Sequence, residues 1–131
     1  MDDALESCGL PQQEKVDLYG VVAAMLLLGN VDLAAGANDS IVVAESSKQA
    51  LKDAEKFLGI GDISELLVEK VVKSPRSNNV YHIALDKHAA ENQKDALVKH
   101  IYSMMFNVVV ERINLKIQVE KDFHKFIGLL D

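Results

Sequence analysis

The chain has no tryptophan, one cysteine and two prolines in 131 residues, and aromatic side chains make up only 5% of it. A single thiol, Cys8, excludes an intrachain disulfide and suits a reducing cytosol, where a free cysteine behaves as a small apolar side chain. No apolar run approaches the roughly 20 residues that span a bilayer, so no membrane-spanning helix is expected. The acidic start, Met1-Asp2-Asp3, leads into no apolar signal region, and secretion is not expected either. Acids outnumber bases to give a formal net charge of −6, which argues against a general nucleic-acid binder, because that would need a basic footprint. Hydrophobic residues are nonetheless 49% of the chain, enough for one domain with an aliphatic, largely helical core.

Catalytic and metal-binding patterns are equally scarce. Nothing matches Gly-x-x-x-x-Gly-Lys-Ser/Thr, the loop whose backbone N–H groups and ammonium surround phosphates. Gly29-Asn30 and Gly59-Ile60-Gly61-Asp62 lack the basic residue. His82 and His88 are too far apart for one helical turn, and His100 and His124 have no Cys or carboxylate at ligand spacing, so no metal site is expected. Cys8 has no evident partner as a nucleophile. Lys94, Asp95 and Lys99 read as a solvated helix face, and Glu111-Arg112 as ordinary surface pairing.

Periodicity predicts a mainly α architecture. Pro11 opens a helix over 11–28 with Val16, Tyr19, Val22, Ala23, Leu26 and Leu27 on one stripe, and Gly29-Asn30 should end it in left-handed geometry. Short strand segments are expected near 31–33 and 41–43, around a small polar loop. Ser46 or Ser47 can cap a second helix over 46–58, closed by Gly59. Asp62 and Glu65 resemble a capping box for a third helix, 62–71, with Ile63, Leu66, Leu67 and Val71 on its apolar side. Residues 72–85 read as an exposed loop containing Lys73-Ser74-Pro75-Arg76-Ser77-Asn78-Asn79.

That loop region is the one local reversal of charge. Residues 70–79 hold Lys70, Lys73 and Arg76 and no acid. A long helix over 86–117 follows, about 48 Å at 1.5 Å per residue. It carries two adjacent apolar stripes, Leu97, Ile101, Met104, Val108 and Leu115 beside Val98, Tyr102, Met105, Val109 and Ile113. Such a helix should find neighbours on more than one side. The last segment, 126–131, reads as a strand, and a strand there would need sheet neighbours to satisfy its backbone. The expectation is a piece of a larger protein whose uncovered apolar surface promotes self-association.

Several motifs in order carry a family resemblance. Ala23-Ala24-Met25-Leu26-Leu27-Leu28-Gly29-Asn30-Val31 resembles the helix of myosin motor heads that ends in Leu-Gly-Asn-Val/Ile. Asp95-Ala96-Leu97-Val98-Lys99, Ile101-Tyr102 to Phe106 and Ile113-Asn114 resemble that family's next helix. Ile127-Gly128-Leu129-Leu130-Asp131 resembles the strand leading into switch II. Lys94 stands where the family commonly has Arg, and Asn107-Val108-Val109-Val110 where it usually contains a Trp.

The resemblance implies the helical part of the upper subdomain of a myosin head, within a cytoplasmic, actin-based motor driven by Mg-ATP. It implies that residues 72–85 touch the actin filament, with Lys70, Lys73, Arg76 and Ser77 as contact residues, and that Asp131 is the switch II aspartate near magnesium. The position where many myosins carry an acid or a phosphorylatable hydroxyl falls near Asn79, and Ser77 is the nearest hydroxyl. By the same resemblance, the parent is an actin-activated ATPase. This segment holds no complete nucleotide site and takes no cofactor of its own, and the remainder of the head is its other partner. The rival reading is a free-standing helical domain that binds a partner helix in a groove.

Overall fold

The computed structural model describes residues 2–37, 40–75 and 79–117. Helix α1 spans Asp2–Ser7, α2 Gln12–Gly29, β1 Leu33–Ala35 and β2 Ile41–Val43. A 3-10 turn, Glu45–Ser47, leads into α3, Lys48–Leu58, then α4, Ser64–Val68. Strands β3, Glu69–Lys73, and β4, Val80–Ala84, precede α5, Lys87–Ile117. The architecture is mainly α, with two separate two-stranded antiparallel pairs, β1–β2 and β3–β4.

Local chemistry explains most boundaries. Pro11 sits extended at the start of α2 (φ −61°, ψ 155°), and its carbonyl accepts the Lys15 N–H at 3.1 Å. The other end departs from expectation. Asn30 (φ −89°, ψ 1°) is not left-handed, and its N–H is shared between the carbonyls of Leu26 and Leu27. Val31, whose N–H bonds the Leu28 carbonyl, follows at once and is fully buried. The tightened last turn thus carries the chain straight into the core, without a left-handed residue. At Gly59 the expectation and the structure agree: φ is +65°, and the Ile60 N–H closes onto the Glu55 carbonyl at 3.1 Å.

Serine capping of α3 is overturned. The Ser47 side chain caps nothing; its buried hydroxyl accepts the Asp32 N–H at 3.0 Å and so ties the β1 approach to the start of α3. The first strand accordingly lies two residues later than expected, with Leu33 opposite Val43 and Ala35 opposite Ile41. Helix α1 was not anticipated, because six residues are too few to display a period. It is held to α2 by Lys15, only 3% exposed, whose ammonium lies 3.5 Å from carboxylate oxygens of both Asp2 and Glu6.

Two further corrections concern the middle of the chain. The expected helix over 62–71 is only Ser64–Val68, and Glu69 (φ −127°, ψ 146°) turns extended. The expected loop over 72–85 is mostly a β-hairpin, with Glu69 opposite Ala84 and Lys73 opposite Val80. Val71 therefore belongs to a strand, where β-branched residues fit the pleat better than a helix. Asp62 and Glu65 form no capping box. The Asp62 carboxylate accepts the Ser64 N–H at 2.8 Å, and Glu55 reaches across from α3 to accept the Ile63 N–H at 2.9 Å.

The core joins α2, the β1–β2 pair, α3, α4 and the start of α5 through Ala24, Leu28, Val31, Leu33, Val43, Leu51, Ala54, Leu67 and Ala90. Along α5, capped where the Asp86 carboxylate accepts the Ala89 N–H at 2.8 Å, Leu97, Val98 and Ile101 pack on that core. Met105, Val109 and Ile113 stay half-buried farther along, whereas Tyr102, Met104, Val108 and Leu115 are exposed. Among the described residues, then, neighbours cover α5 mainly in its first half and leave much of its apolar surface farther along uncovered. No described helix is long and apolar enough to cross a membrane. The strand expected at 126–131 lies outside the described residues.

Adjacent leucines in α4 test this packing. Leu67 has no exposed surface and Leu66 is 50% exposed. Leu67→Ala should cost about 2–5 kcal/mol in urea unfolding and Leu66→Ala about 1 kcal/mol or less. Equal costs would contradict the assigned face of α4.

Candidate functional site

The β3–β4 hairpin is a narrow ribbon whose residues are exposed or half-buried, and every residue of β4 is exposed. Side chains alternate across a pleated strand, and directly opposed residues share a face. The register therefore places Lys70 and Val72 with Ile83 and Tyr81 on one face. Glu69, Val71 and Lys73 lie with Ala84, His82 and Val80 on the other. Lys70 and Lys73, which look like one basic cluster in the sequence, consequently point to opposite sides. Lys73 adjoins the turn, where the Ser74 N–H donates to the Asn79 carbonyl at 3.0 Å. Arg76 and Ser77, the other two expected contact residues, lie outside the described residues, as does Asp131.

A polar pair spans the two strands at the ribbon's base. His82 Nδ1 and Glu69 Oε2 are 2.9 Å apart, diagonal neighbours on one face. Lys70 near the base and Lys73 beside the turn both lack an ion-pair partner among the described residues. Val71, Val80, Tyr81 and Ile83 are each about half exposed and give both faces an apolar component.

Three polar links seat the ribbon. The Leu85 N–H donates to the Val68 carbonyl at 2.9 Å and closes the open end. The Gln93 amide on α5 donates to the Glu69 carbonyl at 2.9 Å and to the Leu66 carbonyl. Next to it, Lys94 Nζ donates to the Val31 carbonyl at 2.8 Å, so Lys94 is not part of a solvated face as expected. Gln93 does not stand out in the sequence, and the inward role of Lys94 is not legible there either, because both bond to backbone groups distant along the chain. The hairpin itself did have a signal: the run Val80-Tyr81-His82-Ile83 is β-prone and lies across a turn-rich stretch from Val71-Val72.

Other candidates separate. Arg112 pairs with Glu14 of α2 and not with its neighbour Glu111, fastening the far part of α5 to the start of α2. Between these helices runs a groove of about 680 Å³, lined by Leu18, Val21, Ile101, Met104 and other mostly apolar side chains. Among the described residues, no group of three His, Cys, Asp or Glu is placed to hold a metal ion. Cys8 is half-buried.

The family model described as the myosin head (motor domain) matches residues 1–131. Unconventional myosin-VI from Sus scrofa is 36% identical over 139 residues, covering 100% of this chain and 11% of its own length. Myosin heavy chain 95F from Drosophila melanogaster is 35% identical over 140 residues, with the same two coverages. Myosin-9 from Arabidopsis thaliana is 31% identical over 132 residues, covering 98% of this chain and 8% of its own length. The chain thus spans only about a tenth of the length of the curated relatives it matches.

Acid should loosen the start of α4. The Ser64 side chain and then its backbone N–H bond the Asp62 carboxylate and hold it below the ordinary carboxylate value, with Lys52 contributing. Because the folded value lies below the unfolded one, this contribution is complete above about pH 3.9 and is lost as pH falls through the folded value. Asp62→Asn keeps an acceptor but removes the titration. Urea midpoints between pH 5 and the acid limit should therefore fall less steeply in the variant. Identical slopes would dissociate Asp62 from acid unfolding.

Proposed function

The chain belongs to the myosin head (motor domain) family, and from that membership we propose that it is the helical, actin-facing part of an ATP-driven motor that moves along actin filaments in the cytoplasm. Its own work in the head is mechanical. The β3–β4 hairpin touches the filament, and α5 braces that hairpin at one end while leading at the other toward residues that handle nucleotide. Mg-ATP is bound by groups elsewhere in the head, with Asp131 serving as the switch II aspartate near the metal. Apolar side chains that α5 leaves exposed, Tyr102, Met104 and Val108 among them, dock on the remainder of the head, and a chain held alone self-associates through them.

The observation that carries the actin assignment is the hairpin itself: a solvent-exposed ribbon with apolar side chains on both faces and an acid-free basic stretch at its turn. Cations at the end of a projecting ribbon meet an acidic surface before the body of the domain does. They gain charge-assisted hydrogen bonds there without first being buried. The pleat refines which residues matter. Lys73 adjoins the turn, and Arg76 and Ser77 follow it closely in sequence, whereas Lys70 lies farther back on the opposite face from Lys73 and reaches the filament only at the flank.

Charge reversal in the complete motor tests this reading. Lys73→Glu with Arg76→Glu should weaken actin affinity more than Lys70→Glu. The triple change should cost about tenfold, taking each exposed contact at about 0.2–1 kcal/mol. The loss should shrink as salt rises, since exposed charges are screened over about 8 Å at physiological ionic strength. ATP turnover without actin should stay unchanged. Wild-type actin-activated turnover by the triple variant at low salt would remove the hairpin from the actin interface.

A further inference from the structure

We propose that Gln93 is the positioning residue that aims the β3–β4 hairpin, an inference that rests on the actin-contact reading for its consequence but not for its geometry. The Gln93 side-chain NH2 has two hydrogens, and both are used: one for the Leu66 carbonyl and one for the Glu69 carbonyl. Those carbonyls flank the junction between α4 and β3. Helix α4 has only five residues, so its last carbonyls have no intrahelical donors to meet them. Gln93 supplies one of these from another element and, in the same planar group, grips the first residue of the strand. Two bonds from one rigid amide specify a direction, where a single bond would leave a pivot.

The hairpin depends on such a grip because it has little else. Isolated two-stranded ribbons are marginal in water, and this one exposes all of β4. Among the described residues, the two Gln93 bonds are the side-chain hydrogen bonds that connect α5 to α4 and the hairpin. The Glu69–His82 pair stiffens the ribbon internally but does not fix it to anything. The adjacent residue Lys94 holds the Val31 carbonyl, so one turn of α5 grasps both the α4–β3 junction and the chain leaving α2. A shift of α5 is thereby carried to the hairpin as a change of angle, and a hairpin that swings freely presents Lys73 to the filament only part of the time.

The test uses the complete motor with Gln93→Met, similar in length but without a donor, and Gln93→Lys, which keeps one. Without actin present, hydrogen exchange of the hairpin amides should quicken about tenfold in the Met variant and stay closer to wild type in the Lys variant. Unchanged exchange in the Met variant overturns the clamp. In a double-mutant cycle, Lys73→Glu should cost less actin affinity on the Gln93→Met background than on wild type, although Gln93 bonds the base of the ribbon and Lys73 adjoins its turn. Additive costs overturn the aiming role, and so does a fall in actin-free ATP turnover, which would mark a general structural fault. If Lys73→Glu alone leaves actin binding intact, the actin-contact reading fails and takes the aiming role with it, while faster exchange would still establish the clamp.

Discussion

Leu28, Val31 and Leu67 expose no surface, and Ala24 of α2, Ala54 of α3 and Ala90 of α5 are equally buried around them. Burying a leucine side chain contributes about 1.5–3 kcal/mol, and the alanines let three helices approach closely enough for each other's aliphatic side chains to interlock. The β3–β4 hairpin hangs from this cluster. Leu67 holds α4 in place, α4 continues without a break into β3, and Ala90 fixes the turn of α5 from which Gln93 and Lys94 extend. The hairpin has no core of its own, so its orientation is inherited from residues that never reach the surface.

Polar contacts then specify what apolar burial leaves free. Hydrophobic packing is non-directional and would tolerate sliding of α5 along α2. The Lys94 bond to the Val31 carbonyl at one part of α5 and the Arg112–Glu14 pair farther along fix its register. Lys15 between Asp2 and Glu6 does the same for α1. Lys15, nearly fully buried, packs its aliphatic stem inside while its charged end finds carboxylate oxygen, so its desolvation is compensated.

The expectations that failed share a physical cause. A serine before a helical stripe was read as a cap, but Ser47 bonds the backbone of Asp32, a group fifteen residues away that no local pattern reveals. Helix propensity and apolar spacing extended α4 through Val71, yet cross-strand pairing with 80–84 outcompeted the weak helical preference of two valines. The apparent basic cluster was half an artefact of linear proximity, because a pleat sends Lys70 and Lys73 to opposite faces.

The order of elements was legible in the residues themselves: a helix before Gly29, the stop at Gly59, the long α5 and the acid-free stretch at 70–79. The stripe expected on α2 is not its buried face, because Val16, Tyr19 and Leu26 are exposed while Ala24 and Leu28 are buried. Family membership was legible too, because the Leu-Gly-Asn turn and the Asp-Ala-Leu segment are short, local and collinear. These features depend on spacing along the chain, which sequence contains directly. Tertiary structure decided that the region after α4 is a ribbon, that Lys70 and Lys73 take opposite faces of it, and that Gln93 and Lys94 reach backbone carbonyls. Those outcomes depend on which distant groups become neighbours once the aliphatic cluster closes, and no local propensity encodes that.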